Sequence, residues 1–449
     1  MHRRAAARAL AVLALTLIAA RPVAAQTLTE LLSDLFVFGE CGVSLCMDPA
    51  AMSAGETGAT HAVHFRRDLV PGNDALLLFL GDGIAGIVGG LPRPPMAAGR
   101  IWSDGERSAS LGPVFAERAE TLGMGRFFMG LEATAFQTTN FGGAPTDALL
   151  LNFFHHDTSP ALGRNPGLGV PAFERDVLQV RTNLAVDYVV ATGVVSAGLT
   201  PFLDVGFVIP VVRARLEGTA DARILPFDPS SSHRFGGSEA VPVLQARKSV
   251  RGSAMGVGDI TARVKVNLSG GTEVGVAPPE LGIALLADYT FPTGQEEDLL
   301  GTGEGRGRAL AVITRRWGDF SSHVNGGYLL REQNAREGNF DRDAVLGSVG
   351  FDVRVTDEVT VAAEMITQLE LADPDPPLPG PVTFVGAAPL TVEASSIPEP
   401  GRYLLDLAMG IRYQVRNDMV LVASALLPIQ GFGLRPDAIF TLGLQGTFR

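Results

Sequence analysis

The side chains that could do chemistry in this chain are few, and their spacing works against it. FFHHD places His155, His156 and Asp157 side by side. At the end of a strand, adjacent histidines point to opposite faces, so they cannot easily share one metal. HAVHF adds His61 and His64 without a neighbouring Cys or carboxylate. Ser322 and His323 are adjacent, but a hydrolase needs Ser, His and an orienting group in mutual reach, and no G-x-S-x-G occurs. GTGEGRG, from Gly301 to Gly307, misses the G-x-G-x-x-G and P-loop spacings and is followed by no helical pattern. Glu296, Glu297 and Asp298 could hold a divalent cation near lipopolysaccharide, although a solvated acidic loop is the plainer reading. The expectation is therefore no enzyme, no metal site and no cofactor. Cys41 and Cys46, in ECGVSLC, are expected to form a disulfide, the default pairing in an exported chain.

Export is read from residues 1–25. Arg3, Arg4 and Arg8 precede an apolar run from Ala9 to Ala20, and Val23-Ala24-Ala25 offers a small-residue cleavage site, the pattern of a signal peptide. The run is shorter than the ~20 residues a helix needs to span a bilayer. Removing the leader's four arginines takes the formal charge from −12 to −16, which argues against nucleic acid as a partner. Hydrophobic residues make up 46% of the chain, yet no second long apolar run follows, so the hydrophobicity is spread in short pieces.

Those pieces alternate. In DITARVKVNLSGG, Ile260, Ala262, Val264, Val266 and Leu268 share one parity, and Asp259, Thr261, Arg263, Lys265 and Asn267 the other. Period two marks a β-strand with one apolar and one polar face. The same pattern recurs in LQVRTNLAVDY, LGSVGFDVRV and YLLDLAMGIRYQV. Thirteen strands are expected, near 124–139, 147–157, 176–191, 202–216, 256–268, 281–293, 306–317, 320–331, 342–355, 357–371, 402–415, 418–428 and 436–448. A fourteenth within 96–118 would make the number even. Their connections alternate between short (NFGGAPT, WGDF, VTDE, VRND) and long, the longest being 217–255 and 372–401. Outer-membrane barrels sort their loops in this way, and a soluble sandwich has no reason to. The terminal AIFTLGLQGTFR puts Phe448 one residue from the end, which looks like a signal for barrel assembly machinery.

From Leu281 to Leu330 the chain resembles the outer-membrane family named after the meta-cleavage pathway of phenol degradation. The resemblance is carried by Pro292, Thr293, Gly294, Gly301, Gly303, Asn325, Gly326, Gly327 and Tyr328. It implies a transporter-like β-barrel passing small hydrophobic or aromatic compounds. A more distant similarity is to the outer-membrane long-chain fatty acid transporters, which implies 14 strands and an N-terminal plug.

The expected architecture is all-β: signal peptide 1–25, a plug or periplasmic segment 26–95, and a transmembrane antiparallel barrel 96–449 of about 14 strands, within roughly 12–16. TLTELLSDLF is read as one helix capped by Thr27 or Thr29, and Ala75–Leu91 as a buried helix or hairpin. The polar faces are assigned to the lumen: Glu132, Arg181, Asp187, Asp259, Arg263, Lys265, Asp288, Asp352, Arg354, Glu364, Asp406 and Arg412. They can pair across strands to stabilise a wet interior, line a translocation path, or both. The expected location is the outer membrane of a Gram-negative-type cell. The expected partners are its lipid and lipopolysaccharide, the assembly machinery and small hydrophobic solutes. The competing function is a structural or adhesive barrel that works through its external loops.

Overall fold

The computed structural model describes residues 26–39, 42–47, 64–89, 93–96, 110–155, 175–225, 233–238, 240–273, 276, 278–332, 342–373, 377–384, 388–416 and 418–448. His61, His156, Asp157 and Cys41 lie outside them, so the expected Cys41–Cys46 link falls partly outside the described residues.

Twelve alternating segments become the staves of one sheet: β1 (Phe127–Phe141), β2 (Val177–Thr200), β3 (Leu203–Leu225), β4 (Ile260–Asn267), β5 (Leu281–Phe291), β6 (Arg306–Trp317), β7 (Phe320–Arg331), β8 (Ala344–Arg354), β9 (Val359–Glu370), β10 (Tyr403–Arg416), β11 (Met419–Gln430) and β12 (Ile439–Phe448). Each pairs antiparallel with the next. β12 pairs back onto β1, from Phe127 opposite Phe448 to Ala135 opposite Phe440, which closes the ring of twelve staves. The described staves number twelve, the lower end of the expected 12–16, and two of the expected segments are not staves. In the described part of 147–157 the strand is Leu149–Phe154, which pairs with the outer end of β2 and bridges Ser395 instead of spanning the barrel. The described part of 96–118 holds no strand, because Gly112 and Pro113 interrupt it and a proline cannot donate to a ladder.

The connections sort by side as expected. Residues 201–202, 318–319, 355–358 and 417–418 join staves at one end, with the longer 268–280. Residues 142–176, 226–259, 292–305, 332–343, 371–402 and 431–438 join them at the other. NFGGAPT belongs to the long side, where Ala144 and Pro145 fold back on β1.

Around the barrel the apolar parity points outward. On β4, Thr261, Arg263, Lys265 and Asn267 are buried while Val264 is 42% exposed. Exposed aromatic residues ring both ends of this belt. Phe291, Tyr328 and Tyr403 lie toward the long connections, and Phe127, Trp317, Tyr413 and Phe448 toward the short turns. An apolar belt between aromatic girdles is a surface that needs hydrocarbon around it.

β2 and β3 run on beyond the belt. At 24 and 23 residues they are far longer than the ~9–11 that cross a bilayer. The strand Gln245–Val257 continues the line of β4 and pairs with the outer half of β3. On this extension the apolar parity turns inward: Leu178, Val180, Leu184, Val186, Leu216 and Ile224 are buried. They pack against two helices, α1 (Leu28–Asp34) and α2 (Pro71–Gly89), in one apolar cluster. α1 starts at Thr27, whose side chain accepts from the Glu30 N–H while Glu30 reaches back, a complete capping box. α2 opens on Pro71, whose missing N–H costs nothing at a first helical position. Asn73 fixes α2 by accepting from the Phe154 N–H at 3.0 Å and donating to the carbonyls of Phe65 and Phe154. The segment expected in or beneath the lumen thus places both helices at the long-connection end.

Candidate functional site: the lumen and the chain inside it

Ser110–Leu122 runs through the barrel without a ladder of its own, so its buried backbone groups must find partners on the wall. The wall supplies them. The Glu364 carboxylate accepts from Val114, from Phe115 at 3.0 Å and from Ala116 at 2.8 Å. Asn325 accepts the Glu117 N–H at 2.8 Å and donates to the Glu117 carbonyl at 3.0 Å. Leu111 donates to Thr360, Ala119 to Thr314 and Leu122 to Asp204. Asn267 donates to the Ala119 carbonyl at 2.8 Å, and the Arg412 Nε to the Pro113 carbonyl at 2.9 Å. Below Leu122, Gly198 lets two backbones touch, since a Cβ there would sit 2.0 Å from the Gly123 oxygen.

A second layer is ionic. Asp288 receives Arg93 at 3.0 Å, Arg308, and Arg263 at 3.7 Å. Glu117 receives Arg263 and Lys265, each at 3.4 Å. Arg263 also donates to the Pro94 carbonyl at 2.6 Å. Burial draws the Arg93 guanidinium down to about 9. Asp288 opposes the fall, and the cations Arg308, Arg263 and Arg306 add to it. Arg93 therefore stays charged at neutral pH. Nearer the short turns, Asp352 holds His323 at 2.6 Å and Ser110, and His323 contacts Thr314 at 3.0 Å.

The residues assigned to the lumen from sequence divide into three groups. Glu132, Arg263, Lys265, Asp288, Asp352, Glu364, Asp406 and Arg412 face inward. Most of them hold the internal chain instead of standing free in water. Asp259 and Arg354 lie at opposite rims. Asp259 accepts from Gly294 and Thr302 and fixes the 292–305 connection, and Arg354 pairs with Asp319 and Asp357 at the short turns. Arg181 and Asp187 are corrections: both sit on the outward face of the β2 extension, with Asp187 opposite Arg215. Above the belt the surroundings are water, so the polar parity turns out.

Thr293 donates to the Gly258 carbonyl at 2.7 Å and accepts from Ile260 at 3.0 Å. A Cβ on Gly294 would meet Gly301 at 2.7 Å, and one on Gly327 would meet the Ala309 oxygen at 1.9 Å. Gly303 has φ +72°, and Tyr328 bonds Asp343 at 3.1 Å. Within the resembling stretch, then, these residues shape the wall, and Asn325 alone of them grips the internal chain.

Sequence reasoning missed Asp204, Asn267, Thr314, Asn325 and Thr360 as anchors. Their inward parity was readable, but their partner segment carries no periodicity. It also missed a buried cluster in which His155 lies 5.9 Å from His64 and 5.1 Å from His233, ring centre to ring centre. His233 contacts Asp176 at 2.8 Å. Those positions are far apart in the chain, and no local pattern joins them.

Three cavities border the described residues between the internal chain and the wall. One of about 130 Å³ lies beside α2, against Phe79, Ile87, Leu404 and Phe432. A deeper one of about 140 Å³ is bordered by Arg93, Phe115, Arg308, Leu329 and Ile366. A third, of about 70 Å³, lies against Val190, Thr192, Val208 and Thr261. Gly89 and Arg306 border all three.

Closed staves, an apolar girdle and the wall-gripped residues 110–122 define a membrane-embedded β-barrel with a stretch of its own chain inside. No family model matches the sequence, and no curated protein matches it. Among solved structures it is similar to the COG4313 outer membrane channel from Pseudomonas putida F1. That likeness has a TM-score of 0.40 and 11% identity and covers 74% of this chain and 98% of that one. It is also similar to a Pseudomonas aeruginosa FadL homologue, with TM-score 0.29 and 13% identity over 72% of this chain and 89% of that one. A third likeness is to the CymD monoaromatic hydrocarbon channel, with TM-score 0.31 and 10% identity over 73% and 89%.

Proposed function

We propose that the protein is an outer-membrane channel for passive uptake of small hydrophobic or aromatic compounds, with the chain before β1 acting as its plug. The observation that carries this reading is how the lumen is filled. The wall does not close it with interlocked side chains. A separate stretch of chain fills it, held by side-chain to backbone hydrogen bonds, and cavities lined by both apolar and charged groups meet at Gly89 and Arg306. A segment held in this way can shift without breaking the barrel's own ladders. The apolar side of the cavity beside α2, formed by Phe79, Ile87, Leu404 and Phe432, suits the hydrophobic body of a solute, while Arg331, Arg342 and Glu370 line the rest. The long connections, α1 and α2 would face the exterior, with both ends of the barrel sequence on the periplasmic side.

The test compares the intact chain with deletions of residues 28–90 and 28–122 behind the leader, in planar bilayers and in solute-loaded liposomes. The longer deletion should raise conductance strongly, and the intact barrel should pass small aromatic solutes faster than sugars of equal size. Normal assembly with unchanged conductance in both deletions would show that the plug idea is wrong. Equal passage of sugars would remove the substrate class.

The second reading, a non-transporting structural barrel, is supported by the density of pairing around Glu117, Asp352 and Arg412. It requires an intact chain that passes no solute under any condition.

A further inference from the structure

Six arginines stand on one outward face of the β2–β3 extension and its neighbouring strand. The pairing register sets the face out in rows. Val189, Arg213 and Met255 lie across from one another, then Asp187, Arg215 and Ser253, then Ala185, Glu217 and Arg251. Two rows on come Arg181, Asp221 and Arg247, followed by Gln179, Arg223 and Gln245. The row before the first is Ala191, Val211 and Val257, wholly apolar. Arginines on this face therefore outnumber carboxylates six to three on a chain whose formal charge is −12. Glu217 is shared by Arg215 and by Arg251 at 3.1 Å, and Asp221 pairs with Arg247 at 3.4 Å. Arg181, Arg213 and Arg223 have no carboxylate partner among the described residues. Arg247 and Arg251 leave 68% and 72% of their side chains exposed.

We propose that this face holds the phosphate-bearing headgroups of the glycolipid in the outer leaflet around the barrel. Position selects that occupant over a soluble one. The first arginines rise from the same outward parity, one step along the same strands, as Val211, Val257 and Met255 of the hydrocarbon-facing belt. A lipid whose chains lie on the belt therefore has its headgroup beside Arg213, Arg215 and Arg251. Outward positions repeat every ~7 Å along a strand, so Arg215 lies one such step and Arg251 two steps, roughly 14 Å, beyond the Arg213 row. The planar guanidinium forms paired hydrogen bonds with phosphate oxygens, and the surplus positive charge on this face favours the anion. The inference rests on the proposed orientation, with the long connections outside. It does not depend on what passes through the lumen.

The experiment uses the full mature chain in zwitterionic detergent, with folding checked by heat-modifiable gel mobility. Native mass spectrometry measures binding of diphosphorylated lipid A and of its dephosphorylated form. Two variants are compared: Arg213→Gln/Arg215→Gln/Arg251→Gln in the rows nearest the belt, and Arg181→Gln/Arg223→Gln/Arg247→Gln farther out. The expected result is preference for the phosphorylated lipid, lost on the order of 100-fold in the near variant and far less in the outer one. Equal binding of both lipids, or an unchanged near variant, would overturn the proposal. Displacement of the lipid by equimolar inorganic phosphate would overturn it too, by showing a site for free anion. Conductance of the near variant, measured alongside, should stay unchanged because it alters no lumen residue, so the channel reading succeeds or fails separately.

Discussion

From Leu203 to Val211 the outward side chains of β3 are Leu203, Val205, Phe207, Ile209 and Val211. From Arg213 to Arg223 they are Arg213, Arg215, Glu217, Thr219, Asp221 and Arg223. The parity does not change along this one strand; the surroundings do. Inward, the lower half presents Asp204 to the internal chain, and the upper half presents Val212, Ala214, Leu216 and Ile224 to the helices. β2 switches one row farther out, between Val189 and Asp187, as does the strand beside β3, between Met255 and Ser253. A polar face therefore marks where water or hydrogen-bond partners are, inside the barrel below and outside it above.

The difference predicts where substitutions hurt. The largest effect is expected in the upper half from emptying the inward apolar layer. Leu184→Ala should cost about 2–5 kcal/mol through the cavity it leaves, read as early proteolysis of the extension in a denaturant series. Next comes a charge on the belt. Phe207→Arg should destabilise by about 2–4 kcal/mol if it sits near mid-membrane. Thr219→Arg, on the same face of the same strand, should stay within about 0.5 kcal/mol. Equal costs in a refolding titration would erase the distinction between the halves. Inside the lower half, Glu364→Ala strips the acceptor from three backbone N–H groups and should cost roughly 1–3 kcal/mol. Hydrogen exchange should speed at Val114–Ala116 and not in β9; slow exchange there would mean the segment has other anchors. The smallest effect is at the helix edge, where Thr27→Ala should cost about 1 kcal/mol by removing the cap, visible as faster exchange in α1 alone.

Much of this was legible in advance because alternation and loop length are local. All twelve staves lie at segments singled out by their period, the loops apart from NFGGAPT sort by side, and Thr27 is one of the two cap candidates for α1. The extension was not legible. LQVRTNLAVDY alternates as cleanly as DITARVKVN, and alternation does not say which face meets water, so Arg181 and Asp187 were assigned inward. The clue was length: β2 and β3 run well beyond a bilayer, and the outward parity of β3 changes from Phe207 and Ile209 to Arg213 and Arg215. A strand is expected within 96–118 only to make the number even, whereas the described residues 110–122 meet single side chains scattered over many staves. No period encodes such contacts.

The central claim, that one face of β3 passes from hydrocarbon to water between Val211 and Arg213, can be tested along the strand itself. Single spin-labelled cysteines at the odd-numbered positions from 203 to 223 would be placed in reconstituted protein, and their collisions with oxygen and with a water-soluble nickel chelate compared. The account predicts oxygen-dominated labels up to 211 and chelate-dominated labels from 213 onward. Labels that favour oxygen along the whole strand, or a crossover displaced by several residues, would contradict it.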